Sequence, residues 1–150
     1  MKIINKKAYH NYEIIQEYEV GIKLHGNEYK SVLEGRIKLD TAYVRMKNGE
    51  AYLLNAEIFK YKYCGDLEYD RTRERKLLLH KKEIIKMETK LLSQTGLTVI
   101  AISCYTKGKY VKFCIALAKG RTDVGKRKRE KDRSIKRREE QETKKYIHKK

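Results

Sequence analysis

The chain has 150 residues, and 37 Lys and Arg against 20 Asp and Glu give a formal net charge of +17. This length allows one domain plus an extension, and the charge indicates a phosphate-rich partner. The most basic segment has no apolar face to insert into a membrane surface, so nucleic acid is favoured over lipid. Polar residues such as Lys2 and Lys6 interrupt any apolar run near the start, and no stretch is long enough to span a bilayer. We therefore expect a cytoplasmic protein with no membrane partner.

The spacing of cysteine and histidine predicts neither a metal site nor a catalytic centre. Cys64, Cys104 and Cys114 form no CxxC pair and have no His at ligand spacing. We interpret Cys104 and Cys114 as small apolar residues in a reduced compartment. The sequence also lacks a Ser/His/Asp grouping, a Gly-rich phosphate loop and paired catalytic carboxylates. We expect a protein that is not an enzyme and that uses no cofactor.

The first third of the chain predicts a surface segment, a long strand and a short helix. Residues 1–11 are basic and polar, and we expect them to lie across the surface of the body. From Tyr12 the residues alternate between apolar and polar, which predicts a half-buried strand with a bulge or bend at Gly21. Its predicted apolar face carries Tyr12, Ile14, Tyr18, Val20, Ile22 and Leu24. A helix is predicted from Asn27, as its N-cap, to Glu34, with Gly35 as the stop. Val32 and Leu33 are its predicted core anchors.

The dipeptide Asn48-Gly49 predicts a β-hairpin, because this pair is preferred in type I′ turns. A two-residue loop there pairs Lys47 with Glu50, Met46 with Ala51, Arg45 with Tyr52 and Val44 with Leu53. This register places the apolar residues on one face of the hairpin.

The middle of the chain is predicted to contain a weaker strand over residues 56–66 and a charged loop over residues 65–76. Residues 81–95 then predict an amphipathic helix, ended by Gly96. Its predicted apolar positions are Ile84, Ile85, Met87, Leu91 and Leu92.

Residues 97–118 predict a second hairpin, with Gly108-Lys109 in a type II′ turn. The predicted apolar pairs are Cys104/Phe113, Ile102/Ile115 and Ile100/Leu117. The predicted pairs on the opposite face are Tyr105/Lys112, Ser103/Cys114 and Ala101/Ala116. Short strands, one long glycine-containing strand and two or three short helices are typical of a mainly β fold, a closed antiparallel barrel. Among such barrels, the oligonucleotide-binding (OB) type suits a basic surface best.

Residues 119–150 form a basic tail with fifteen Lys or Arg against six Asp or Glu. Its aliphatic and aromatic residues are limited to Val124, Ile135, Tyr146 and Ile147. Such a segment cannot bury enough apolar surface to offset the entropy of ordering itself, so we expect disorder in the free protein. Its good helix formers and i,i+4 pairs such as Asp132/Lys136 favour a helix once a polyanion binds. We predict two parts, a barrel over residues 1–118 and this tail.

Several segments, in chain order, resemble those of the SsrA-binding protein (SmpB) family. They are Asn5-Lys6-Lys7-Ala8, Glu19-Val20-Gly21-Ile22, Gly26-Asn27-Glu28-Tyr29-Lys30-Ser31, Tyr43-Val44-Arg45, Arg75-Lys76-Leu77-Leu78-Leu79-His80-Lys81 and Ala118-Lys119-Gly120. The resemblance implies an OB-like barrel that binds the tRNA-like domain of tmRNA and delivers it to stalled ribosomes for trans-translation. It also implies that the tail becomes helical in the empty mRNA channel, close to the rRNA of the decoding centre, and we expect a monomer.

Positions that match the family imply that Asn5, Glu19, Leu78 and Lys112 belong to the tmRNA-binding surface. The other RNA-binding candidates are basic or aromatic: Lys6, Lys7, His10, Tyr12, Lys30, Arg71, Arg73, Arg75, Lys76 and Lys119. Candidates for base stacking are Tyr9, Tyr12, Tyr43, Tyr52 and Tyr61. The ribosome-binding candidates of the tail are Gly120, Arg121, Lys126, Arg127, Lys128, Arg129, Lys136, Arg137 and Arg138.

Other interpretations remain open at this point. Leu78 is also compatible with ordinary core packing, and the basic residues with a solvated charged face. Glu19 would repel a phosphate, so its role is to accept from a base edge or to position a basic neighbour. Val124-Gly125 stands where the family usually has a ring and an Asp before two cations, which puts that local anchoring in doubt. A basic ribosomal structural protein is the alternative function, while a nuclease lacks a carboxylate cluster for metal ions.

Overall fold

The computed structural model describes residues 1–65, 68–121 and 123–148. The chain divides into two compact units, Met1–Gly120 and Arg121–Lys150. In its described residues the first unit contains nine strands and three helices, so the mainly β prediction is confirmed. No helix in the described ranges combines the length and the apolar character that crossing a membrane requires.

The strands are, in chain order, β1 (Lys2–Ile4), β2 (Tyr12–Ile22), β3 (Ile37–Lys38), β4 (Tyr43–Lys47), β5 (Glu50–Leu54), β6 (Glu57–Ile58), β7 (Arg75–Leu78), β8 (Leu97–Lys107) and β9 (Tyr110–Gly120). The helices are α1 (Lys6–Asn11), α2 (Gly26–Leu33), α3 (Lys81–Ser93) and α4 (Asp123–His148). Seven strands form one antiparallel sheet in the order β1-β8-β4-β5-β7-β2-β9, and β8 also pairs with β9. Five of these strands therefore have two neighbours each within the sheet, while β8 has three and β1 has one. Strands β3 and β6 form a separate antiparallel pair.

The main core lies on the inner face of the large sheet. Leu53, Phe113, Ile115 and Leu117 are each 0% exposed, and Leu77 is 1% exposed. Full burial of such a side chain contributes roughly 1.5–3 kcal/mol relative to exposure. The alternation of these residues with polar neighbours therefore determines which face of each strand turns inward.

The first predicted hairpin is confirmed in all its pairs. Strands β4 and β5 pair Lys47 with Glu50, Met46 with Ala51, Arg45 with Tyr52 and Val44 with Leu53. The turn has φ +53° at Asn48 and +74° at Gly49, the positive values that a type I′ turn requires at both central positions.

The second predicted hairpin is correct near its turn and wrong farther away. Gly108 has φ +61°, and the predicted pairs Cys104/Phe113, Ser103/Cys114 and Tyr105/Lys112 are present. Between Ala101 and Ser103 the register shifts by one residue, so the pairs become Ala101/Ile115, Ile100/Ala116 and Val99/Leu117. The extra residue on β8 is Ile102, and an extra residue in one strand of a pair defines a β-bulge.

A register shift also divides β2, but it is not at Gly21. The shift lies between Ile14 and Gln16, whereas Gly21 pairs in register with both Lys112 and Leu78. Glycine suits position 21 because a Cβ there would lie 3.3 Å from Cβ and from Cδ1 of Leu78. The bulge prediction at Gly21 is therefore wrong.

The prediction of one apolar face along β2 is also wrong. Tyr18 and Val20 belong to the main core, but Tyr12 and Ile14 pack into a second cluster on the other side of the sheet. The buried members of this second cluster are Ala8, Ile100, Ile102, Ala116 and Ala118. The register shift explains the difference, because a slip of one residue moves every following side chain to the opposite face.

Residues 1–11 are more ordered than predicted. Residues 2–4 form β1, which pairs with β8, and α1 places Ala8 against the second cluster. Asn5 is the N-cap of α1, and its Oδ1 accepts a hydrogen bond from the Ala8 amide. Few apolar residues are needed to bury this segment, because backbone pairing and one cap hold it in place.

The two remaining helices of the first unit agree with the predictions in position but not in every detail. The N-cap of α2 is His25 rather than Asn27, and the backbone amide of His25 donates to Glu28 Oε1 at 2.9 Å. Val32 is a buried anchor, but Leu33 is 42% exposed. In α3, Ile84 and Met87 are buried, whereas Ile85 and Leu92 are 52% and 90% exposed. The helix ends at Ser93, before the predicted stop at Gly96.

The middle of the chain has less strand than predicted before residue 66 and more strand after residue 74. In the described part of the predicted strand 56–66, only Glu57–Ile58 is extended, as β6. Asp66 and Leu67, within the predicted loop, lie outside the described residues. Arg75 and Lys76, assigned to that loop from their charge, begin β7 instead, because Leu77 enters the core.

The tail contains one long helix. β9 continues past the predicted boundary at residue 118, so Lys119 and Gly120 pair with Glu13 and Tyr12 of β2. The helix α4 then spans Asp123–His148. Disorder in the free protein and helix formation on the ribosome stay predictions.

Candidate nucleic-acid interface

The outer face of the large sheet carries a row of residues that crosses five strands. Leu78 of β7 lies opposite Gly21 of β2, and Gly21 lies opposite Lys112 of β9. Lys112 lies opposite Tyr105 of β8, and Tyr105 lies opposite Lys2 of β1. Directly opposed residues of antiparallel strands share a face, with Cβ atoms about 4.5–5.5 Å apart. The row is therefore a continuous surface.

A second row lies two residues along each strand, so its side chains point to the same face. It contains Glu19, Cys114, Ser103 and Ile4 on β2, β9, β8 and β1. We call the two rows together the sheet face. Three of the family-matching residues, Glu19, Leu78 and Lys112, lie within it. Leu78 is 56% exposed, which rules out the core-packing interpretation of that leucine.

Glu19 is held by two side chains of β8. Its Oε2 accepts a hydrogen bond from the Tyr105 hydroxyl, and its Oε1 lies 3.3 Å from Lys107 Nζ. The hydrogen bonds from Tyr105 and Lys107 lower the pKa of the Glu19 carboxyl, and the charges of Lys107 and Lys112 act in the same direction. This geometry favours the interpretation that Glu19 positions a basic neighbour.

The phenol of Tyr105 and the thiol of Cys114 on the sheet face are neutral at physiological pH. Burial and the hydrogen bond to Glu19 raise the pKa of Tyr105 to about 12, so this phenol stays a donor. Burial, followed by the charge of Glu17, raises the pKa of Cys114 to about 11. Its thiol is therefore protonated at neutral pH and is a poor nucleophile. The positive charge of this surface comes from its lysines.

One end of the sheet face forms a cavity of about 420 Å³. Its lining includes Leu78, Lys112, Tyr110 and Tyr29. Tyr110 is 71% exposed, and Lys112 Nζ lies 5.9 Å from its ring centroid. A ring beside a cation provides a stacking surface and a phosphate contact in one place, a combination typical of nucleic-acid sites.

Sequence reasoning missed Tyr105 of the sheet face and two residues beside it, Lys107 and Tyr110. A signal for Tyr105 was present, because the predicted hairpin already paired it with Lys112. The two-residue turn at Gly108-Lys109 then brings Lys107 and Tyr110 opposite each other at the end of the same hairpin.

Two of the predicted RNA-binding residues, Asn5 and Arg75, are buried inside the protein. Asn5 is 3% exposed, and its Nδ2 donates to the carbonyls of Leu39 and Ala101 at 2.7 and 3.0 Å. Arg75 is 0% exposed, and its Nε donates to Glu28 Oε2 at 2.5 Å. Both side chains are hydrogen-bonded inside the protein and support the fold, while their part in RNA binding stays a prediction.

Arg73 shares the carboxylate that holds Arg75. Its guanidinium donates to Glu28 Oε1 at 2.5 Å, and the side chain is 34% exposed. Burial alone would raise the pKa of the Glu28 carboxyl, but the hydrogen bonds from Arg73 and from the His25 amide, with the charge of Arg75, hold the pKa below its ordinary value. The guanidinium of Arg73 is therefore partly occupied by Glu28, which leaves fewer of its N–H groups to bind a phosphate.

The remaining basic candidates are distributed over several surfaces. Lys6 and Lys7 are exposed on α1, where Lys7 Nζ lies 3.3 Å from Asp40 Oδ2. Lys76 Nζ lies 2.9 Å from Glu50 Oε1. His10 and Tyr12 are half-buried near the end of α1, and exposed Lys119 lies at the end of β9. Lys30 and Arg71 lie beside aromatic rings away from the sheet face.

The stacking candidates also separate by environment. Tyr9 and Tyr12 pack against the second cluster, and the Tyr52 hydroxyl donates to Glu50 Oε2. Tyr43 is 37% exposed, and Tyr61 contacts another tyrosine. Within the described ranges, no group of three or more His, Cys, Asp or Glu side chains is arranged to hold a metal ion.

Four of the tail candidates have described, exposed side chains: Arg127, Lys136, Arg137 and Arg138. The side chains of Lys126, Lys128 and Arg129 lie outside the described residues. Gly120 is the last residue of β9, and Arg121 follows it. Ribosome binding by these residues stays a prediction.

Comparison with known proteins gives consistent matches over most of the chain. The SsrA-binding protein of Persephonella marina is 49% identical over 133 residues, covering 89% of this chain and 87% of that protein. The SsrA-binding protein of Mycoplasma mycoides is 46% identical over 136 residues, covering 90% of this chain and 91% of that protein. A solved structure reported as "tmRNA-SmpB: a journey to the center of the bacterial ribosome" is similar with a TM-score of 0.68 and 36% identity. That similarity covers 81% of this chain and 85% of the other.

The family model described as SmpB protein matches residues 2–145, which include both rows of the sheet face and most of α4. Identity near one half over nine tenths of the chain supports the same assignment. The chain belongs to the SmpB protein family.

Proposed function

We propose that this chain binds the tRNA-like domain of tmRNA and delivers it to stalled ribosomes for trans-translation. The names of its relatives, SsrA-binding proteins, and the reported tmRNA-SmpB complex support this proposal. The observation that carries it is the sheet face, which brings Glu19, Leu78 and Lys112 together from distant parts of the chain. An exposed leucine beside lysines and tyrosines fits a folded RNA that presents sugars, phosphates and base edges.

The pairing of the strands also supports a closed barrel of the OB type. Each strand from β8 through β4, β5, β7 and β2 to β9 pairs with the next, and β9 pairs with β8. Such a cycle leaves no free edge among these six strands, which removes a common route to aggregation. The rigid barrel would hold the sheet face in a fixed shape for its RNA.

We further propose that the tail enters the empty mRNA channel of the ribosome. The cations of α4 whose side chains are described are exposed, and Ile135 is 48% exposed, so the described side chains of α4 form no buried apolar stripe. Phosphates surrounding the tail would neutralise its charge and release counterions, which favours binding. The tail would thus contribute to ribosome rescue, while the sheet face selects the RNA.

Binding of purified tmRNA across a range of salt concentrations tests the role of the sheet face. Lys112→Gln is expected to weaken binding and to reduce the slope of log K against log salt by about 1, as loss of one phosphate contact does. Leu78→Ala is expected to weaken binding with the slope unchanged, since no charge is lost. The matched controls are Lys86→Gln and Leu92→Ala, which alter exposed residues of α3. Equal effects of the α3 and sheet-face variants would contradict the assignment.

A further inference from the structure

Three aromatic residues stand at alternate positions of the segment that follows β6: Phe59, Tyr61 and Tyr63. The ring centroids of Tyr61 and Tyr63 lie 5.5 Å apart with an interplanar angle of 69°, an edge-to-face contact. Tyr63 is 73% exposed, so much of its ring is open to solvent. We call these three residues the aromatic cluster. Exposed rings held in place by a neighbouring ring are suited to stacking on nucleobases.

Four cations lie over the rings of this cluster. The distances from cation to ring centroid are 5.5 Å for Lys30 and Tyr61, 5.4 Å for Lys62 and Tyr63, 5.7 Å for Lys38 and Phe59, and 5.2 Å for Arg71 and Phe59. All four cationic side chains are exposed. Each ring therefore has a positive charge next to it. A nucleotide whose base stacks on such a ring can place its phosphate near that charge.

The charges around the aromatic cluster are available to an anion. Within the described ranges, none of these four cations forms an ion pair with a carboxylate. Lys38 lies opposite Glu57 in the β3–β6 pair. The carboxylate of Asp70 accepts hydrogen bonds from the amide and the hydroxyl of Thr72, within its own turn.

Helix α2 separates the aromatic cluster from the sheet face. The Tyr29 hydroxyl donates to the Lys109 carbonyl at 2.8 Å, beside the cavity at the end of the sheet face. The next residue, Lys30, lies over Tyr61 instead. Consecutive residues of an α-helix point about 100° apart around its axis. The two surfaces therefore lie on different sides of α2.

We propose that the aromatic cluster binds unpaired RNA nucleotides, with bases stacked on Tyr61 and Tyr63 and phosphates paired with Lys30 and Lys62. Unpaired RNA fits better than a duplex, because only unstacked bases can lie against protein rings. The inference rests on the proposed function and extends it, since it gives the protein a second RNA contact. A single-stranded segment of the RNA on which the protein acts is the expected occupant.

The test uses the full chain and a fluorescent oligouridylate of about 10 nucleotides, within the usual size of single-strand sites. Tyr61→Ala/Tyr63→Ala is expected to lower the affinity at least about fivefold, the loss of one stacked base. Tyr61→Phe/Tyr63→Phe keeps the rings and is expected to bind like the parent. Lys30→Gln/Lys62→Gln is expected to reduce the slope of log K against log salt by about 1.4, for two contacts to a single strand.

Unchanged affinity in the double alanine variant would overturn the proposal, and so would an equal loss in the phenylalanine variant. Every variant keeps the basic tail, which could itself bind the oligomer. Ultraviolet crosslinking of a thiouridine-containing oligomer therefore provides a second test, because it shows which residues contact the RNA. Crosslinks at residues 59–63 would support the proposal, and crosslinks confined to residues 121–150 would overturn it. Lys112→Gln, assayed with tmRNA and with oligouridylate, separates the two sites. This variant is expected to weaken the binding of tmRNA but not the binding of oligouridylate. Unchanged tmRNA binding would count against the proposed function, while oligouridylate binding tests the aromatic cluster separately.

Discussion

Arg75 and Glu28 form an ion pair in the interior, where each side chain is no more than 1% exposed. The guanidinium of Arg75 also donates to the carbonyls of Ala56, Arg73 and Arg71 at 3.0–3.1 Å. Removing two charges from water costs several kcal/mol per ion, and close geometry with full hydrogen bonding is needed to offset it. This network therefore holds the start of β7 against α2 only while Glu28 and Arg75 are both charged.

Glu28→Gln is expected to destabilise the protein by about 3–5 kcal/mol at neutral pH, because it leaves Arg75 buried without its counter-charge. The pKa of Glu28 is held below its unfolded value of about 4.3, so the stabilisation is present above that pH. It is lost as the pH falls through the lower, folded-state pKa. Urea unfolding of parent and variant at several pH values should show the difference between them shrink in acid.

The matched control for this prediction is Glu50→Gln. Glu50 pairs with Lys76 at 2.9 Å, but both side chains are more than 40% exposed. Exposed pairs contribute little to stability because water screens them. If the two substitutions lower the free energy of unfolding by similar amounts, burial of the Glu28–Arg75 pair is not the reason for the loss of stability.

At the scale of elements, one bulge in β2 and one in β8 allow each strand to contribute side chains both to the main core and to the second cluster. On the N-terminal side of the register shifts near Ile15 and Ile102, apolar residues of these strands lie on the outer face of the sheet, next to those of β9. The outer side of the sheet there is covered by α1 through Ala8. Asn5 connects the parts, because its side chain reaches both the Leu39 carbonyl and the Ala101 carbonyl.

Asn5→Ala is expected to lower the free energy of unfolding measurably. It leaves buried carbonyls without a donor, at about 1–3 kcal/mol, and it removes the N-cap of α1, at about 1 kcal/mol. Asn11→Ala, at the other end of α1, is the control. Urea unfolding gives the magnitude, and hydrogen exchange should show faster exchange of the α1 amides in the Asn5 variant alone. Equal exchange in both variants would contradict the capping role.

The accuracy of sequence-based prediction also differs between elements. The Asn48-Gly49 turn determined the whole register of β4 and β5, because a two-residue loop leaves no freedom in pairing. The same reasoning failed beyond Ile102, since a bulge depends on what packs against the strand rather than on its own residues. Burial of Arg75 could not be predicted, because its partner Glu28 lies 47 residues away in the chain. For the sheet face, the family resemblance identified Glu19, Leu78 and Lys112, and only the structure showed that Tyr110 lies beside Lys112.

At the scale of the whole molecule, positive charge is concentrated in the smaller unit. Met1–Gly120 contains 23 Lys or Arg against 14 Asp or Glu, and Arg121–Lys150 contains 14 against 6. The two units therefore have similar net charges at very different lengths. A segment with this charge density and few apolar residues gains most of its stability from a partner rather than from its own packing.

Deleting residues 121–150 is expected to spare tmRNA binding and to abolish ribosome rescue. The deletion begins after Gly120, where β9 ends, so every strand of the sheet face is kept. Loss of the tail cations should also lower the salt dependence of ribosome binding, because fewer counterions are released. tmRNA binding and tagging of stalled peptides, measured in parallel with the full chain as control, check this prediction. Equal loss of both activities would contradict the division of labour between the units.

The row across the sheet face joins positions that are far apart in the chain. Lys2 and Lys112 are 110 positions apart, yet only Tyr105 stands between them in the row. A growing polypeptide cannot complete this surface until β9 has emerged and paired with both β2 and β8. On the proposed function, a copy whose synthesis stops before β9 is complete lacks this surface and would not compete with finished copies for the RNA.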